Sequence, residues 1–359
     1  MDLIASTWMT RSLGEAVASV ALEEDGAAVV GGWDGSLKRW NDQGDLLWAI
    51  KLNDRVNEVS IHDDCLVATA GLHIVCIDRE TGETRWAHAL EGSADSVTVH
   101  NGIVYAVSSV YDIEHNDFIE SAVWSYALDG TQRWVQRMDE RPWSMMACEG
   151  ELWLGLGRPK CGFAKIKEDG TIVHVNGPVD APVTCGAFSK HNLLFGHADG
   201  TVSNRASDVV HALSSGIDSL VCFDAGAVVG DELGGLHAFF PQDSVAWQQQ
   251  GDPIESHCRG FEVNGDASHW VSRWSGTSGS LTVVNANDGT QLATTTSVHV
   301  RFLRCVGDRV IAGCENGDVH VWDRTVFERR ISEKKNDGVG EKDLKKTALQ
   351  DKLRKLRER

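Results

Sequence analysis

Short continuous apolar runs recur along the chain, each followed by a tight turn and then by polar and apolar residues in alternation. Ala27 to Val30 and Val310 to Ala312 are such runs, and Asp318, Val319, His320, Val321 and Trp322 alternate after the second. A continuous run fits a strand buried on both faces and alternation fits one buried on a single face, so each pair reads as a β-hairpin. Five segments share the spacing small-x-x-x-Gly-x-[Leu/Val]: Gly31, Gly35, Leu37; Gly196, Gly200, Val202; Gly230, Gly234, Leu236; Ser275, Gly279, Leu281; and Gly313, Gly317, Val319. A short hairpin turn needs a residue at positive φ, which glycine adopts without steric cost.

A second pattern, Gly-x-x-x-Trp, follows the alternating strand at Gly44/Trp48, Gly82/Trp86 and Gly130/Trp134, with Asp243/Trp247 as a variant. It marks the next hairpin and puts a tryptophan at one fixed place in each unit, where the ring can pack between neighbouring sheets. Laid out as strands A to D, the units have A strands beginning near Ala16, Val56, Ser96, Trp143, Val183, Ile217, Ser256 and Val300. Four-stranded antiparallel units that repeat every 40 residues or so bury their faces only against one another, and the closed solution is a propeller. The expectation is an all-β, eight-bladed propeller over residues 1–332, with a seven-bladed ring as the alternative, followed by a hinge and a short basic amphipathic helix in 333–359. Two segments compete for the outer edge of the last blade, Val326 to Ile331 and Leu3 to Met9.

At these residues the chain resembles two propeller families. The runs 32–40 and 315–323 look like WD-repeat blades, while 127–134 and 78–86 look like the tryptophan-docking repeats of the PQQ-like (quinoprotein-like) propellers, many of which are eight-bladed. The resemblance speaks for fold far more than for function, because one fold hosts many functions. The Gly-His dipeptide of WD repeats occurs only as Gly196-His197, in the wrong part of its unit. No adjacent cysteine pair and no Cys-x-x-Cys-His haem site accompanies the PQQ-like repeats, so the resemblance implies the fold without the cofactor.

Charge divides the chain. Residues 333–359 carry net +4, which leaves −22 for the rest of a chain whose total is −18. A body that acidic repels phosphate and argues against nucleic-acid binding across the propeller faces. The start of the chain has no basic segment followed by an apolar core, no apolar run reaches membrane-spanning length, and the nine cysteines are single and mostly set in apolar runs. A cytoplasmic protein with free thiols is expected, with no membrane contact.

In a propeller the B–C and D–A loops gather on one face, around the mouth of the central channel. The B–C turns carry Trp33, Asp34, His197, Asp199, Asp231, Glu232, Glu315 and Asn316, an acidic rim suited to a basic peptide or helix. The third unit is longer than the others in its B–C connection, 110–120, where Tyr111, Ile113, Phe118 and Ile119 offer apolar contact and Asp112, Glu114 and Asp117 offer charge. His115, near Asp112 and Asp117 in sequence, is expected to be solvated, and no metal, cofactor or catalytic residue is assigned. In 341–359, Leu349, Leu353 and Leu356 line one face of a helix whose other faces are basic. The function expected is a non-catalytic protein–protein interaction scaffold with an acidic loop face and a tethering helix. The alternative is a propeller enzyme of hydrolase or lyase type acting at the channel, with Arg55, Arg141, Arg158 and His197 as its candidates.

Overall fold

The computed structural model of the chain describes residues 2–114, 116–190, 192–224, 226–240 and 243–333, with the backbone alone for 243–245. Its strands form eight four-stranded antiparallel sheets, each in A-B-C-D order. The A strands are Val17–Leu22, Val56–His62, Ser93–His100, Pro142–Cys148, Val183–Phe188, Ile217–Phe223, Ile254–Arg259 and Val300–Val306, which define blades 1 to 8. Each A strand packs beside the A strand of the next blade, and that of blade 8 lies against that of blade 1, so the ring is closed. The expected starts at Val56, Val183, Ile217 and Val300 are the observed ones, and Ser96 moves to Ser93.

The apolar cores lie between blades. Val29, Leu37 and Trp48 of blade 1 pack with Val56, Leu66, Ala68 and Ile77 of blade 2 in one such core. The repeated glycines explain how closely the blades approach. A Cβ on Gly31 would stand 2.6 Å from Cβ of Val56, and one on Gly313 would stand 2.4 Å from a methyl group of Val17. The turn glycines at the second position have the positive φ the pattern demands, as at Gly35 and Gly200, except in blade 7, where Gly276 takes it and Gly279 instead abuts the carbonyl of Val298.

Tryptophan docking ties successive blades at the face opposite the B–C turns. The indole N–H of Trp48 donates to the carbonyl of Arg79 at 2.8 Å, that of Trp86 to Leu128 at 2.8 Å, that of Trp134 to Glu168 at 3.1 Å, and that of Trp247 to Ala286 at 2.8 Å. Each ring lies over the turn glycine of the next blade: Gly82, Gly130, Gly170 and Gly289 respectively. On the same face Glu23 and Arg39 are almost wholly buried and bridge at 2.7 Å, with Arg79 on the second carboxylate oxygen.

The edge of blade 8 is taken from the N-terminus. Met9–Ser12 pairs antiparallel with Asp318–Asp323, Met9 opposite Val321. This strand lies at the end of the Leu3-to-Met9 segment considered from sequence, and Ile4–Ser6 forms a 3-10 turn instead. The competing segment Val326 to Ile331 is not a strand. It belongs to a helix over 324–333, begun by Asp323, whose carboxylate accepts from the N–H groups of Thr325 and Val326. Phe327 and Ile331, four residues apart, turn one helix face onto Phe261, Trp270 and Trp322. Trp322 donates to the carbonyl of Leu3 at 2.9 Å, and Trp8 to that of Asp42 at 3.1 Å, so the N-terminal segment repeats the docking of the other blades. The basic helix expected in 341–359, with Leu349, Leu353 and Leu356, lies outside the described residues.

Candidate functional site

The B–C and D–A loops do gather on one face, and most of the rim carboxylates named from sequence are occupied there by their own turns. Asp34 accepts from the N–H of Ser36 at 2.9 Å and pairs with Lys51; against the opposing effect of burial, these bonds bring its carboxyl down to about 2. Asp199 accepts from Thr201 at 3.0 Å, Glu232 from Gly216 at 3.3 Å, and Glu315 pairs with Arg301 at 2.7 Å. Asp231 is buried and holds Ser215, His237 and the N–H groups of Leu233 and Gly235. Aspartate suits tight turns because its side chain bonds the backbone two residues on. His197 is corrected as both a contact residue and a catalytic candidate: it is fully buried, 2.7 Å from Ser203 Oγ, and burial pushes its ring below the usual histidine range.

Aromatic rings and guanidinium groups stand together on this face. Trp33 is 40% exposed, with the guanidinium of Arg55 at 3.7 Å from its ring centroid and that of Arg301 at 5.3 Å. Burial and the neighbouring Arg301 both lower the affinity of Arg55 for its proton. Trp274 stacks on His299 at 3.8 Å between centroids.

The long connection of blade 3 is an extension of its two middle strands, Ile103–Asp112 and Asp117–Ala127, with the turn between them. Tyr111 and Phe118 are cross-strand partners, their rings edge to face at 5.1 Å. Tyr111 donates to Asn116 at 2.6 Å, while Asp112 and Asp117 accept from the N–H groups of Glu114 and Phe118 at the turn. Phe118 reaches toward blade 4, where the guanidinium of Arg141 lies 3.4 Å from its ring centroid and 4.1 Å from that of Trp143. Asp95 is 3.6 Å from Arg141. Ile113 is 86% exposed at the tip. Phe118, Arg141 and Trp143 wall a cavity of about 430 Å³ that Arg158, Pro159 and Pro182 close from blade 4 and the loop after it, with Asp117 and Asp139 also lining it.

A second cavity, of about 470 Å³, opens into the channel among the A strands of blades 2 to 5. Glu58 lines it and accepts from the N–H of Val97 at 2.9 Å; its burial pushes its carboxyl above the usual range, against the pull of Arg304. Two of the four residues considered for catalysis, Arg141 and Arg158, thus meet at one cavity, Arg55 stands apart beside Trp33, and His197 is inside a blade. Sequence reasoning missed Arg301, Trp143 and Glu58 as site residues. Arg55, Arg141 and Arg301 stand at or just before the start of an A strand, and that shared position was the available signal. Among the described residues no cluster of three or more metal-ligating side chains occurs, and no helix is long and apolar enough to cross a membrane.

A family model described as outer membrane protein assembly factor BamB matches residues 33–151. No curated protein matches the chain. Among solved structures, BamB from Moraxella catarrhalis is 13% identical with a TM-score of 0.70, covering 88% of this chain and 97% of that one. Sqt1 from Saccharomyces cerevisiae is 12% identical with a TM-score of 0.72, covering 88% and 98%. The computationally designed Ika8 protein is 18% identical with a TM-score of 0.68, covering 87% and 98%. At these identities the structural likeness speaks for fold, and the WD-like runs of blades 1 and 8 stay a likeness of single segments. With the docked tryptophans and the matched segment taken together, the chain is an eight-bladed β-propeller that is similar to the PQQ-like family over residues 33–151.

Proposed function

We propose that this protein is a non-catalytic interaction platform of the cytoplasm whose loop face receives a protein partner. The observation that carries the reading is the pairing of exposed aromatic rings with guanidinium groups around the channel mouth, Trp33 with Arg55 and Trp143 with Arg141, beside the projecting blade 3 hairpin. Tryptophan, tyrosine and arginine concentrate the energy of protein interfaces, because each joins a large apolar area to a polar group that finds a partner on binding. BamB is described as an assembly factor, which supports a binding role. The acidic turns steer a basic segment of the partner toward the face, and the 341–359 segment tethers a second partner.

The test compares partners recovered from native cytoplasm by the full chain, by a variant with 111–119 shortened to a tight turn, and by Trp33→Ala with Arg55→Ala. Loss of one co-purifying protein with either surface variant is expected. An unchanged set with both overturns the platform reading. A second reading, a small-molecule site in the channel, is favoured by the raised carboxyl of Glu58. It predicts that a metabolite raises the melting temperature of the full chain and that Glu58→Gln abolishes the rise.

A further inference from the structure

We propose that the cavity between the blade 3 hairpin and blade 4 receives the C-terminal end of a partner polypeptide whose last residue has a bulky apolar side chain. This rests on the platform reading and names what one part of the platform holds. The walls are apolar planes, the rings of Phe118 and Trp143 with Arg141 held between them. A guanidinium between two rings is fixed in place, and such a wall selects a bulky apolar group rather than a hydrated one. The volume of about 430 Å³ is near the low end of the range for small-ligand pockets, roughly 300–1,000 Å³, and suits the end of a chain better than a long segment.

The charges narrow the occupant further. Arg158 is exposed at the cavity and, among the described residues, has neither an ion-pair nor a hydrogen-bond partner. Arg141 reaches Asp95 at 3.6 Å, while its Nε is buried without an acceptor. One guanidinium is therefore left to take a carboxylate, and a charge-assisted bond of that kind is about twice as strong as a neutral one. Asp117 and Asp139 at the same cavity repel a dianion such as phosphate more strongly than a singly charged carboxylate. They do accept N–H groups. A carboxylate, an N–H and an apolar side chain on one carbon are what the last residue of a peptide presents, whereas an internal glutamate carries its carboxylate on a flexible stem away from any apolar group. Capture of a terminal carboxylate is a recurring mode of peptide recognition.

The test titrates the ¹⁵N-labelled full chain with four probes and follows the indole resonance of Trp143, assigned with Trp143→Phe. The probes are acetyl-Gly-Ser-Gly-Leu with a free carboxylate, the same peptide amidated, an amidated peptide with an internal glutamate, and inorganic phosphate. The free-carboxylate peptide is expected to shift the Trp143 resonance and to bind at least about tenfold more tightly than the other three, as loss of one charge-assisted bond implies. Arg158→Gln is expected to reduce it to the level of the amide, and this residue is in an exposed loop whose side chain supports nothing else. Equal binding of amide and acid, preference for the internal glutamate or phosphate, no binding at all, or an unchanged affinity in Arg158→Gln would each overturn the assignment. The platform reading stands or falls separately, because it is judged by the proteins recovered with the hairpin and Trp33 variants.

Discussion

The docked tryptophans show how a single side chain can hold two blades together, and a matched pair of glycine substitutions separates the docking from the backbone. Gly130 and Gly150 both have positive φ, +88° and +79°; a Cβ on Gly130 would stand 2.7 Å from the Trp86 ring, while one on Gly150 meets nothing within 4 Å. Gly150→Ala should cost only backbone strain, about 1–3 kcal/mol. Gly130→Ala should cost clearly more, and urea unfolding of the two variants measures the difference. The buried Glu23 gives a second expectation. Glu23→Gln removes the more buried of two carboxylates facing Arg39, which is 3% exposed and keeps Glu80 at 3.2 Å, and should destabilise by about 1–3 kcal/mol. Adding Arg39→Met should restore part of that loss, because the buried cation that has lost its buried partner is then gone. A third expectation concerns His257 and His269, whose facing ring nitrogens lie 3.0 Å apart inside blade 7. Burial pulls His257 down to about 4 and His269 well below its usual value. The unfolded chain therefore binds protons that the folded one refuses, so stability is full above pH 6.5 and falls as the pH drops toward 4, by on the order of 3 kcal/mol for His257 alone. Unfolding midpoints at pH 7.5 and 4.5 check the sign, and His269→Gln should lessen the fall.

At the level of strands and hairpins, the ring depends on one short segment. Met9–Ser12 completes blade 8, its neighbour Trp8 docks on the Asp42 carbonyl of blade 1, and Leu3 fills the core between blades 7 and 8. Deleting residues 2–12 exposes the C strand of blade 8 as an unpaired edge, and such an edge pairs with other chains. The expected result is a lower melting temperature and concentration-dependent association in light scattering, with the helix over 324–333 unable to substitute because its residues follow a helical rather than a strand period. The blade 3 hairpin should behave in the opposite way. Its tip residues are exposed while Phe118 packs on Arg141, so shortening 111–119 should cost about 0.5–2 kcal/mol, the worth of that ring contact, while changing the partners recovered.

For the molecule as a whole, a net charge of −22 before residue 333 sets a self-repulsion that dissolved salt relieves. The melting temperature of the full chain should rise between 0.05 and 1 M KCl, which are trial concentrations of about 14 and 3 Å screening range respectively. A flat response would show that the turn carboxylates are already neutralised by neighbours such as Lys51 and Arg301. What the sequence by itself determined was the blade: its glycines, its tryptophans and its alternation are short-range requirements of turns and of strands packed at close spacing, so they repeat and can be read one unit at a time. The tryptophan positions were legible, though the carbonyl each one meets belongs to the next unit. Only the tertiary structure decided which terminus closes the ring, since two segments of similar apolar content compete for one edge and the winner is the one whose neighbours dock. It also decided that Arg141, Arg158, Phe118 and Trp143 share a cavity while His197 is buried, because residues from separate loops meet only when the ring brings their blades side by side.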